Sequence, residues 1–262
     1  MDRFIRDRNI TVVEDTIAFG HQIKKGSKIT IVSTAGEYNG FRMRVPPPEF
    51  EALFFDHALS AALVARNLKK QISIITSDFD GMPAIENTDK NYLTFFEFSQ
   101  NFMASIAFTL SALESWVNNT IQSHVDAKNQ PVKIEIEVEQ KGKKRTISEL
   151  NTLIPNNRDF SISRKIFRVI PKILNVKELS EHNKLRKELN DLVEERNIIM
   201  HMQDDAQQRN KINFAVSMYK RDDFYPIDLV LQYWNKMYYG TESMPMWIND
   251  MIKRRDVLKN IR

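Results

Sequence analysis

Six consecutive residues in the C-terminal half, Arg196-Asn197-Ile198-Ile199-Met200-His201, hold three groups that can act together on a phosphodiester. A histidine titrates near neutrality and can serve as proton donor or acceptor. An arginine stays charged and grips phosphate oxygens as a planar fork. An asparagine can fix the tautomer and orientation of the imidazole. Cleaving RNA through its own 2′-hydroxyl needs a base on that hydroxyl, an acid on the departing 5′-oxygen and positive charge beside the phosphorane. A metal ion is not required. One histidine does not easily serve both ends of the reaction, so a two-fold dimer that brings two such elements to one cleft is expected.

The element sits in SEHNKLRKELNDLVEERNIIMHM, which predicts a helix over about 180–202 followed by the polar MQDDAQQRN. Successive helical residues lie about 100° apart, so Asn197 and His201 share a face. Arg196 and His201 are five apart, about 140° round the helix, and meet more easily where the helix bends or ends. Ahead of it, residues 91–125 predict one long helix with Phe102, Ile106, Leu110, Leu113, Val117 and Ile121 as its apolar stripe. After Gln130-Pro131, the alternating VKIEIEVEQKGKKRTI, with Gly142 in the middle, predicts a β-hairpin between helices. A second helix is expected over 161–174, kinked or broken at Pro171. A fourth, IDLVLQYWNKMYY, has Pro226 in its first turn and Gly240 at its end, and MPMWINDMIKRRDVLKN closes the chain.

The front of the chain reads differently. KITIVS and FRMRV alternate as strands with Asn39-Gly40 as a turn between them, and Pro46–Pro48 lead into a helix over 49–71. That helix is expected to bury Phe50, Phe54, Ala58, Ala61, Val64 and Leu68. ISIIT (72–76) predicts another strand, and 77–91 a loop and the best boundary. The expected class is mainly α: a helical bundle of four to five helices with an inserted hairpin, preceded by a small α+β region. The division is 1–90 and 91–262.

RNIIMH resembles the Arg-x4–6-His signature of the HEPN superfamily (higher eukaryote and prokaryote nucleotide-binding domains), in its Arg-Asn-x-x-x-His form. ALESWVNNTI is similar to that family's opening helix, where a Leu-Glu pair precedes an aromatic or aliphatic residue and an asparagine. The resemblance covers about 91–262. It implies a metal-independent endoribonuclease without a cofactor, acting as a homodimer on RNA, of the kind found as toxins or phage-defence effectors. An antitoxin or other regulatory protein would be a further partner. Residue by residue, it implies Arg196 for transition-state charge, Asn197 for orientation and His201 for proton transfer, with Glu114 and Asn118 near them. The hairpin and the front region depart from the pattern. Some members of the superfamily are inactive, so the alternative is a non-catalytic module that dimerises or binds a nucleotide or partner.

Composition narrows the field. With 262 residues and 42% hydrophobic content the chain can build a real core. There is no cysteine, which excludes disulfides, thiolate catalysis and cysteine zinc sites and suits a reducing, cytoplasmic setting. No run of 18 apolar residues occurs, and the N-terminus lacks a signal-like apolar segment, so no membrane association is expected. Residues 131–172 hold ten Lys/Arg against five Asp/Glu, a larger surplus than the net +4 of the whole chain. Within it, Lys143, Lys144 and Arg145 could grip an RNA backbone, although a hairpin tip is often lysine-rich for solubility alone. His57 reads as packed, Tyr233, Trp234, Tyr238 and Tyr239 as core, and Asp204-Asp205 as solvated. No histidine set has metal-ligand spacing, and no glycine-rich phosphate loop occurs.

Overall fold

The computed structural model describes residues 8–11, 15–18, 21–31, 34–38, 40–45, 49–77, 81–128, 132–140, 143–150, 161–200, 214, 216–239 and 244–261. His201, Asn39, Pro46–Pro48, Gln130-Pro131, Lys141, Gly142, Asp204-Asp205 and Gly240 lie outside the described residues.

The protein is mainly helical. The helices with described bounds are α1 (Phe50–Lys69), α2 (Asp89–Lys128), α3 (Ile162–Arg164), α4 (Ile170–Ile173), α5 (Lys184–Met200), α6 (Tyr225–Met237) and α7 (Met246–Asn260); a π-helical turn at Lys165–Val169 joins α3 to α4, and residues 216–220 are also helical. None is long and apolar enough to cross a membrane, among the described residues.

At 40 residues, α2 spans about 60 Å and is the axis on which the rest is built. Its expected stripe is correct: Phe102, Ile106, Leu110, Leu113, Val117 and Ile121 are all buried. Helix α1 packs along it. The buried face of α1 is only partly the expected one, with Ala58 and Ala61 buried and Phe54 and Leu68 half-buried. Ala52, Phe55, Leu59, Ala62 and Ala65 are buried together with Ala58 and Ala61, whereas Phe50 and Val64 are exposed. α1 is apolar on more than one side, so periodicity alone leaves its rotation open. The alanine-rich face won because small side chains let two helix axes approach closely.

Trp234 of α6 ties four helices together. Its ring lies 5.0 Å from Phe55 of α1, 6.0 Å from Trp116 of α2 and 5.1 Å from Trp247 of α7. Such aromatic pairs each contribute about 0.5–1.5 kcal/mol beyond the area they bury. A single hydrophobic cluster therefore runs through α1, α2, α5, α6 and α7. The division drawn at residue 90 falls in the first turn of α2, a helix that shares this core with α1.

Local signals explain several ends. Asn183 caps α5, its Oδ1 accepting from Leu185 N at 3.0 Å and Arg186 N at 3.4 Å. α5 therefore begins at Lys184 rather than near Ser180. α4 closes in a left-handed residue, Asn175 (φ 54°). There Asn175 N donates to Lys172 O and Val176 N to Pro171 O, the paired bonds that satisfy a helix's last carbonyls. Pro226 opens α6 as expected.

The strands form two-stranded antiparallel pairs. These are β1 (Arg8–Thr11) with β4 (Lys28–Ile31), and β2 (Thr16–Ala18) with β3 (His21–Ile23). β5 (Thr34–Tyr38) pairs with β6 (Phe41–Val45), and β7 (Ile74–Thr76) with β8 (Pro83–Ile85). The last pair is β9 (Val132–Gln140) with β10 (Lys143–Leu150). The turn at Gly40 (φ 77°) joins β6 to β5, a strand the sequence reading passed over, rather than to KITIVS. β8 likewise occupies part of the expected 77–91 loop. The inserted hairpin is present, with Lys143 opposite Gln140 in register.

Candidate active site

Three separate segments bring polar side chains together beside the middle of α2. α5 buries Leu189, Leu192 and Val193, and the helical repeat places position 196 on the same side, seven residues after Leu189. Arg196 thus continues an apolar stripe as its polar end, facing α2. There its Nη2 lies 3.3 Å from Glu114 Oε2. The pair is only partly covered, with side-chain exposures of 28% and 43%. Glu114 is therefore both the polar edge of the α2 stripe and the partner of Arg196.

One turn further along α2, Asn118 meets a residue the sequence reading passed over. Lys165 Nζ donates to Asn118 Oδ1 at 2.9 Å. Lys165 is only 8% exposed. Burial pulls its ammonium pKa below the usual lysine value of 10.5, and the negative charge of Glu114 opposes that shift. Glu114 thus faces two cations, Arg196 by direct contact and Lys165 through its field. The neighbouring Asn119 donates to Glu51 Oε1 of α1, which fixes the same stretch of α2 from the other side.

The position of Lys165 follows from backbone chemistry. Lys165 opens the π turn, and Ile170 N donates to its carbonyl five residues back. In that register the Ile166 carbonyl would be served by residue 171, which is proline and has no N–H. The buried Tyr233 hydroxyl donates to Ile166 O at 2.6 Å instead. The kink expected at Pro171 is thus a π turn just ahead of it. A buried lysine at such a turn gives no motif. The only trace in sequence is a lysine among Ile166, Phe167 and Val169, shortly before a proline.

The remaining candidates divide. Asn197 is exposed, one residue round from Arg196, and does not share the Glu114 face. His201 follows the last described turn of α5 and lies outside the described residues. Lys143, Lys144 and Arg145 begin β10, in register with Gln140, Glu139 and Val138, on a different element from the Arg196 cluster. His57, read as packed, is exposed, with one contact of its ring on Phe108 at 5.4 Å. Tyr233, Trp234 and Tyr238 are core, while Tyr239 is exposed. Next to Arg196, Glu195 is held by Arg221; burial raises its carboxyl pKa and that cation opposes the rise.

Elsewhere, a cleft of about 490 Å³ has Lys184, Glu188, Asp222, Tyr225, Asp228 and Gln232 in its lining. Its charges are paired: Lys184 lies against Glu188, and Lys259 against Asp222 and Asp228. Among the described residues no group of three or more His, Asp or Glu is placed to hold a metal ion.

In comparisons with known proteins, no family model, curated protein or solved structure matches the chain.

Proposed function

We propose that this chain is a metal-independent endoribonuclease of the HEPN type. One observation carries the reading. Arg196, at the head of RNIIMH, meets Glu114 of ALESWVNNTI, 82 positions earlier in the chain. The two segments that suggest the family are thus in contact.

In the proposed reaction the 2′-oxygen attacks phosphorus and the P–O5′ bond breaks. The 2′-hydroxyl proton goes to a base, and the 5′-oxygen takes a proton from an acid. The products are a 2′,3′-cyclic phosphate and a 5′-hydroxyl. The Arg196 guanidinium carries the charge that builds on the phosphorane, and Glu114 aims it. His201 handles a proton and Asn197 orients its ring. A symmetric homodimer provides the second histidine. The proposed setting is a cytoplasmic toxin or phage-defence effector under the control of an antitoxin or similar protein.

A second reading is a non-catalytic module for dimerisation or for binding a nucleotide or partner. The Arg196–Glu114 pair favours it to this extent: the guanidinium already has a carboxylate partner within the single chain. Cleavage of single-stranded RNA in EDTA by wild type, R196A and H201A separates the two. The nuclease reading requires activity that both substitutions abolish. Equal activity in all three points to a contaminant, and inactivity of the wild-type dimer leaves the binding module.

A further inference from the structure

Lys165 is a charge kept where it is expensive to keep one. Its neighbours Ile166, Phe167 and Val169 are all buried. An apolar side chain there would avoid the cost of desolvating an ammonium. Its Nζ is nevertheless aimed at Asn118, one turn of α2 from Glu114. Glu114 in turn sits against Arg196. Two cations therefore face one carboxylate, and one positive charge is left unmatched.

We infer that Lys165 is a positioning residue of this site. By sharing Glu114 with Arg196, it leaves the cluster with a net positive charge for the single negative charge of a phosphodiester. The inference rests on the nuclease reading above and adds to it the origin of the site's affinity. Without Lys165, Glu114 would neutralise Arg196 outright, and an incoming phosphate would meet no net attraction. With it, the carboxylate can aim Arg196 without cancelling it. Asn118 holds the ammonium in place by accepting its hydrogen bond. The π turn sets the side chain at this depth, as such turns often do at functional positions.

The test uses the full chain and a 2′-O-methyl single-stranded RNA oligonucleotide, which lacks the attacking hydroxyl and cannot be cut. Binding is followed by fluorescence anisotropy at low salt, beside cleavage of ordinary RNA in EDTA. K165M should weaken binding by about five- to tenfold, the scale of losing one partly screened charge. K165R, which keeps the charge, should stay within about twofold of wild type. E114Q placed in the K165M background should recover affinity to within about threefold of wild type, because the competing carboxylate is then gone. A purely structural lysine would not be rescued in that way. K165M removes a buried charge, so its thermal midpoint should not fall; K165R provides the second arm if it does.

If wild type cuts RNA, R196A does not, and K165M binds like wild type or stays weak after E114Q, the role of Lys165 is overturned while the nuclease reading stands. If wild type neither binds nor cuts RNA, both are overturned.

Discussion

Arg196 and Glu114 meet at 3.3 Å, yet both remain partly open to solvent. A pair this exposed contributes only about 0–1 kcal/mol to stability. Its value in the proposed reaction lies in where it holds the guanidinium. R196A should therefore unfold close to wild type in urea while losing at least about a hundredfold in RNA cleavage, the usual scale for removing a group that stabilises transition-state charge. Parallel losses in stability and activity would mark the pair as structural.

Tyr233 and Pro171 form a linked device. The hydroxyl replaces the N–H that proline lacks, so Y233F should strand the buried Ile166 carbonyl and cost about 1–3 kcal/mol. P171A restores a backbone donor within reach of that carbonyl. The Y233F/P171A double variant should be more stable than the sum of the two single effects predicts, by about 0.5 kcal/mol or more. Urea denaturation of the four proteins measures the coupling, and strict additivity would break the link.

The rotation of α1 can be tested by size. Ala62 is fully buried, and A62L should cost about 1–3 kcal/mol through overpacking. Phe50 is 54% exposed, and F50A should change stability by no more than about 0.5 kcal/mol. Reversed magnitudes in chemical denaturation would restore the stripe read from sequence.

Lys165 also has a pH signature. Burial lowers its folded-state pKa from 10.5, so between the lowered value and 10.5 the unfolded chain binds more protons than the folded one. Stability due to this group therefore rises with pH across that window, and the penalty for the buried charge is fully present below it. The advantage of K165M over wild type should be largest at neutral pH and shrink as pH approaches 10.5. Urea midpoints across alkaline pH read the difference, and a constant gap would mean the ammonium pays no burial cost.

Much of this was legible from the residues, for physical reasons. The α2 stripe from Phe102 to Ile121 repeats over several turns, and no competing face of that helix is as apolar. The inserted hairpin shows in strict alternation. α1 was misread in part because Phe50 and Val64 are as apolar as the alanine face that won. β5 and β8 are short strands whose pairing depends on their partners more than on pattern. Glu114 was visible through the resemblance of ALESWVNNTI to a family segment. Lys165 was not, because its role depends on Asn118, Glu114 and a π turn completed by a tyrosine 67 residues away in the chain.

The most direct measurement is the chemistry of the ends left on cleaved RNA. Purified protein should be incubated in EDTA with a defined single-stranded RNA, and the fragment termini read by mass spectrometry. The account predicts 2′,3′-cyclic phosphate and 5′-hydroxyl ends, absent with R196A. Fragments ending in 3′-hydroxyl and 5′-phosphate, or the same ends from R196A, would contradict it.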